Sequence, residues 1–334
     1  MKTESVLIQN LCVPCACRCR HCLLSWDGRP VGVSWERGAG FALRFREWQR
    51  KYAPEIRFGY SFGYAMEPPD WHGALSLLRA LDSPHTEFLH CDGLRLRSGP
   101  ECEALAHTLA REGVKRLHFT FYGLSDYHDR FAGRRGDFDF LLRMTDAGAA
   151  AGMELSAGIA LTSESAPQMD ALVGLLRKYV AGGRIFLFVP HREGRGALLQ
   201  PIRFSLDDLG LLSEDTAGLL NRSLYRTEGE WLAEKALPEE TRRALLISLR
   251  PDCIGRYESM DPGAIVAEIE ALDEAYYAAF PPFSALAARC GDPAGKRFYR
   301  FRDLFSHYRS LYAAEHAVAV YDVTDERQSG SRRY

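Results

Sequence analysis

The chain has 334 residues, 46% of them apolar and 26% charged, enough to bury a sizeable core in one large domain or two ordinary ones. Its 42 Lys and Arg balance 44 Asp and Glu, so the net charge is near zero and argues for neither a nucleic-acid partner nor an anionic membrane surface. The N-terminus MKTESVLIQN lacks a signal-peptide pattern and no apolar run is long enough to span a bilayer, which predicts a cytoplasmic protein with reduced thiols.

Short β-type runs alternate with helical ones over the first part of the chain. The candidate strands are 4–11, 56–63, 86–91, 114–121, 153–161 and 184–189. Between them, Trp71, Leu75 and Leu78 share a helical face, as do Leu105 with Leu109, and Phe138 with Leu141, Leu142 and Thr145. Ser165 and Gln168 offer a capping box, with Pro167 in the first turn, ahead of Leu172, Leu175, Leu176 and Tyr179. Six alternations predict a parallel sheet, and strands arriving singly between helices predict an α/β fold with a curved (β/α) barrel, complete or partial. Past a soft boundary near 204 the chain reads as helices, including one opened by Asp261 and Pro262; the tail TDERQSGSRRY reads as solvated and mobile. The expected organisation is therefore a core domain over 1–204 and a mainly helical region over 205–334 that covers the barrel.

Five of the nine cysteines fall within eleven positions: Cys12, Cys15, Cys17, Cys19 and Cys22. A structural zinc site normally takes two separated pairs. Here Cys12 with Cys15 and Cys19 with Cys22 have the right internal spacing, but only three residues lie between the pairs. Buried thiols are the bland alternative. The third reading is an iron-sulfur cluster. Only Cys15, Cys19 and Cys22 have x3, x2 spacing. Three ligands on a four-iron cube leave one iron open, the mark of a chemical rather than a structural site.

Cys-x3-Cys-x2-Cys after a first strand resembles the radical S-adenosylmethionine superfamily. The resemblance implies a partial (β/α)6 barrel whose [4Fe-4S] cluster, held by Cys15, Cys19 and Cys22, leaves one iron to the amino and carboxylate groups of S-adenosylmethionine. Reductive cleavage would release a 5′-deoxyadenosyl radical that abstracts hydrogen. Further segments match. The "MEP" at 66–68 is similar to the family's "GGEP" and implies that Glu67 accepts from the ligand's amino group, with Ala65-Met66 replacing two glycines. "CDGLRL" is similar to a strand-end "TNG". Residues 114–162 resemble the fourth and fifth strands of peptide-modifying members. There Thr120 would touch the ribose or carboxylate and Arg130, with Arg134 and Arg135 competing, would pair the carboxylate. Gly158 and Val189 would contact adenine, and His21 stands where the family usually has an aromatic residue.

Beyond these, Cys253 and Cys290 are too few for an auxiliary cluster and are candidate hydrogen-atom donors to a substrate radical. The resemblance favours a peptide or protein substrate, with a nucleotide or amino-acid derivative as the alternative and a reductase or flavodoxin-type electron donor as partner. A separate leader-binding domain ahead of the first strand is not expected, which weighs against the peptide choice. A non-catalytic metal protein is the reading from a different class.

Overall fold

The computed structural model describes residues 2–318, apart from 84–85, 182–183, 236 and 238–241; the tail expected to be mobile lies outside the described residues. In chain order the first part runs β1 (Lys2–Val13), α1 (Trp35–Tyr52), β2 (Arg57–Gly63), α2 (Trp71–Ala80), β3 (Phe88–His90), α3 (Gly99–Arg111), β4 (Arg116–Phe121), α4 (Ser125–Ala132), α5 (Asp137–Ala150), β5 (Glu154–Ala160), α6 (Met169–Leu176) and β6 (Ile185–Phe188). Each of the six expected strands is present. They pair in parallel in two arcs, β2–β1 and β3–β4–β5–β6, giving a mixed α/β architecture of partial-barrel type without closure among the described residues.

Strand alternation decides which side chains meet the helices. Val6 and Ile8 of β1 and Phe58, Tyr60 and Phe62 of β2 are buried in one core with Phe41 and Phe45 of α1. The helices start where side-chain oxygens meet free N–H groups: Ser34 accepts from Arg37 N–H (3.3 Å), and Asp70 from His72 and Gly73 N–H (3.1 and 2.8 Å). At α6 the expected capping box is absent. The Ser165 hydroxyl instead accepts from Thr162 N–H (3.0 Å), and Gln168 Oε1 from Leu124 N–H (2.9 Å), so both side chains serve the neighbouring turns.

The region after 204, expected to be mainly helical, also carries three strands among the described residues. It holds α7 (Leu206–Leu209), α8 (Glu214–Ala217), β7 (Arg226–Thr227), α9 (Glu228–Leu232), β8 (Arg242–Ser248), α10 (Ile254–Ser259), α11 (Pro262–Ala278), α12 (Phe283–Cys290), β9 (Phe298–Tyr299) and α13 (Phe301–His316). Strand β8 joins the first arc in parallel on the free edge of β1, in the order β2–β1–β8, while β7 and β9 form a short antiparallel pair. The C-terminal stretch thus supplies sheet as well as helices. No helix among the described residues is long and apolar enough to cross a membrane.

Candidate cluster site

The cysteine loop follows β1 and is held from several sides. Arg18 and Arg20 donate their backbone N–H groups to the Ala132 and Phe131 carbonyls (2.8 and 2.9 Å), satisfying acceptors that the end of α4 leaves free. Ala16 N–H donates to the Gly93 carbonyl (2.9 Å) and Arg195 N–H to the Cys22 carbonyl (3.0 Å). The buried Trp26 closes the loop by donating Nε1–H to the Cys15 carbonyl (2.8 Å). Gly93, the glycine of "CDG", has φ +77°, and a Cβ there would stand 2.3 Å from Cys15 Sγ. The sulfur therefore rests on bare backbone that no other residue type would leave open.

The five sulfurs divide by the direction of their hydrogen bonds. Cys15 Sγ accepts from Cys17 N–H (3.3 Å), Cys19 Sγ from the Tyr122 hydroxyl (3.6 Å) and Cys22 Sγ from Trp26 N–H (3.3 Å). Cys12 also accepts, from Asn10, but its thiol donates to the Phe62 carbonyl (3.2 Å). Cys17, 3% exposed, donates to Asp137 Oδ2 at 3.6 Å. The Cys17 thiol also bonds the sulfurs of Cys15 and Cys19, and these bonds push its own pKa up. The Cys15 thiol is held below its ordinary value chiefly by the bond from Cys17, against the effect of burial. Cys15, Cys17 and Cys19 are thereby brought together, and Cys22 is tied to Cys19 by a backbone turn (N–H to carbonyl, 3.1 Å). Among the described residues no three His, Cys, Asp or Glu side chains gather as they would around a single ion. A four-iron cube sets its ligating sulfurs farther apart than one ion does. The three acceptor sulfurs fit such a cube in type and in number.

The other candidates are placed unevenly. Glu67 borders a cleft of about 530 Å³, shared with Cys12, Val13, Pro14 and Trp35 beside the loop, but its carboxylate is ion-paired to the buried Arg97 and lies 3.3 Å from Arg95 Nε. Thr120 spends both its N–H and its hydroxyl on Asp92 (2.8 and 2.7 Å), joining the ends of β3 and β4. Gly158 lies on β5 and the buried Val189 directly follows β6. Arg130 stands exposed on α4, 6.0 Å from the Tyr127 ring. Arg134 pairs with Asp137 and the Leu94 carbonyl, and its guanidinium feels the charges of Cys17 and Cys15. Its signal was present in the sequence: Gly133 and Gly136 bracket it, and Asp137 follows at i+3.

Cys253 is buried in the main core, its thiol donating to the Ser248 carbonyl (3.3 Å), and Cys290 packs at the edge of a separate cluster around Trp231 and Phe283. Cys253 thus shares its core with Cys12, whereas the cluster that holds Cys290 contains none of the five loop cysteines. His21 lies 5.1 Å from the Tyr122 ring and 5.6 Å from Phe131, and burial, aided by Arg195, lowers its pKa to about 4. No motif in the sequence marks Arg195. Its Nε and Nη2 are buried without a hydrogen-bond partner among the described residues, and lone arginines in loops carry no periodic signal.

On the inner face of the sheet, burial, reinforced by Arg116, lowers the His118 pKa to about 4. Its unfolded value is about 6.5, so between those limits the unfolded chain binds more protons than the folded one. Stability is then full above about pH 6.5 and falls as the pH drops toward 4. His118→Phe is expected to flatten that slope by roughly 1 kcal/mol per pH unit, read from urea unfolding at pH 7 and 5. An unchanged slope would mean that His118 does not stay neutral.

No family model matches the chain and no curated protein matches it. Among solved structures it is similar to native anSMEcpe with bound AdoMet (14% identity, TM-score 0.39, covering 56% of this chain and 51% of that one). It is also similar to Streptococcus suis SuiB bound to precursor peptide SuiA (13%, TM-score 0.48, 73% and 58%). A third is coproporphyrinogen III oxidase (HemN) from Escherichia coli, described as a radical SAM enzyme (15%, TM-score 0.40, 75% and 63%). The chain spans between about half and two thirds of the length of these structures.

Proposed function

We propose that the chain is a radical S-adenosylmethionine enzyme that abstracts hydrogen from a substrate C–H bond inside the partial barrel. The observation that carries this reading is the set of sulfurs at 15, 19 and 22, each accepting a hydrogen bond in a loop at the C-terminal end of β1, where sites in this architecture lie. When bound, a [4Fe-4S] cluster with an open iron supplies the electron that cleaves the sulfonium of S-adenosylmethionine.

The protein's part is holding and orienting. Cys15, Cys19 and Cys22 would hold the cluster, and donors from Cys17, Tyr122 and Trp26 would stabilise the charge on their sulfurs. Arg134 and Arg195 would offset the negative charge of the loaded site, and Glu67 would exchange Arg97 for the ligand's amino group. Thr120 with Asp92 would hold the ribose and the backbone at Val189 would border the adenine, while the Phe186 and Phe188 rings cover the inner side of Gly158. The peptide-substrate reading rests on the resemblance of residues 114–162 alone, with a small molecule as the alternative. An external reductase or flavodoxin-type protein would supply electrons.

The test is anaerobic reconstitution with iron and sulfide, then S-adenosylmethionine and dithionite, assayed for 5′-deoxyadenosine. Slow production without substrate is expected; a colourless zinc protein with no product would overturn the reading. Glu67→Gln is expected to leave the iron content unchanged and weaken S-adenosylmethionine binding about tenfold, the cost of one hydrogen bond to a charged group. Equilibrium dialysis checks it, and equal affinity would remove Glu67 from the site.

A further inference from the structure

The strand faces turned away from the helices line the inside of the partial barrel. On β3, β4 and β6 they carry Phe88, His90, His118 and Phe186, whose rings touch in sequence. Ring centres are 4.8 Å apart for Phe88 and His90 and 4.9 Å for His90 and His118, both edge-on (86° and 82°), and 5.6 Å for His118 and Phe186, which lie within 11° of parallel. A Cβ at Gly158 would stand 3.1 Å from the Phe186 ring, so that ring lies over bare backbone. Yet Phe186 is 45% exposed. A phenyl ring that merely filled the interior would be covered.

The other arc brings hydrogen-bonding groups. Gln9 of β1 and Ser248 of β8 are register partners, each 4% exposed, and neither Gln9 Oε1 nor Ser248 Oγ has a hydrogen-bond partner among the described residues. By strand alternation they lie opposite Ile8 and Ile247, which face the helix-packed core, and so point inward. Leaving such groups buried and unpaired is costly unless something bonds them.

We propose that the interior binds a planar heteroaromatic ring bearing an N–H group, stacked on the Phe186 ring that lies parallel to His118 and hydrogen-bonded at its edge by Gln9 and Ser248. The same chemistry is offered by a free heterocycle and by an indole side chain on a peptide. That the ring belongs to the substrate rests on the radical enzyme reading; its binding requires neither iron nor S-adenosylmethionine.

The experiment uses the full chain purified without iron and titrated by saturation-transfer NMR with indole, 1-methylindole, adenine, N-acetyltryptophanamide and N-acetylleucinamide. The N–H aromatics are expected to bind and the leucine amide not. Phe186→Ala should weaken indole about tenfold, the loss of one stacking partner. Because the ring is half exposed the fold should survive, and Phe186→Leu, which keeps volume but removes the π face, gives the same result if it is stacking that matters. Gln9→Leu should erase the preference for indole over 1-methylindole. Tighter binding of adenine assigns a free heterocycle, and of N-acetyltryptophanamide a peptide side chain. Equal binding of the leucine amide, indifference to both Phe186 variants, or displacement of indole by S-adenosylmethionine in this iron-free protein overturns the proposal. Absence of 5′-deoxyadenosine in the separate turnover assay would count against the cluster reading and leave the binding result standing.

Discussion

Alanine at Cys15, Cys19 or Cys22 is expected to abolish both the brown iron chromophore and 5′-deoxyadenosine formation, while Cys12→Ala keeps both. The division follows from bonding: the sulfurs of the first group only accept, whereas Cys12 donates to the Phe62 carbonyl at the strand end. Cys17→Ala should retain iron but lose roughly 1 kcal/mol of stability, since its buried thiol fills space against Asp137. Gly93→Ala should mimic a ligand knockout although residue 93 is not a ligand. Its Cβ would fall on Cys15 Sγ, and its positive φ adds about 1 kcal/mol or more of strain. Iron and acid-labile sulfide per chain, with visible absorbance after anaerobic reconstitution, check all six variants. Iron lost with Cys17 and kept with Cys22 would reassign the ligands, and a fully loaded Gly93→Ala protein would contradict the close packing described for the loop.

The features that were legible are those written in local pattern. The six core strands each carry a period-two or continuously apolar run bounded by turn residues, and all six lie within a few residues of where they were expected. Strand β8 was missed because RRALLIS has no alternation; both its faces are covered once it lies beside β1, and only tertiary context makes it a strand. Helix α1 went unnamed because Gly38 and Gly40 depress its helical signal. Gly38 is there because a Cβ would stand 2.1 Å from the Asn10 side chain of β1, a close approach that no helical periodicity announces. The cysteine spacing identified the loop, but which arginine stands beside it depends on how α4 ends. The helix ends at the left-handed Gly133, with Arg130 on the exposed face before it and Arg134 after it paired to the buried Asp137.

Removing the Asp137 carboxylate should be the most damaging single change away from the cysteines. Asp137 sits at the start of α5, 3% exposed, bonded to His128 Nε2 (3.2 Å), ion-paired with Arg134 and accepting from the Cys17 thiol. Burial alone would raise its pKa, but the His128 bond and the Arg134 charge outweigh burial and hold it below the ordinary carboxylate value. Asp137→Ala leaves a buried guanidinium without its counter-charge and is expected to cost about 3–5 kcal/mol, against about 1–2 kcal/mol for Asp137→Asn, which keeps a hydrogen-bond acceptor. For a depressed carboxylate the stabilisation is complete above the unfolded pKa of about 4 and is lost as the pH falls through the lower folded value. The stability gap between wild type and Asp137→Asn should therefore be widest near neutral pH and narrow below about pH 4, as read from urea unfolding. A gap that stayed constant with pH would show that the carboxylate's charge contributes nothing there, and a mild Asp137→Ala would show that Arg134 finds water or another partner when its carboxylate is gone.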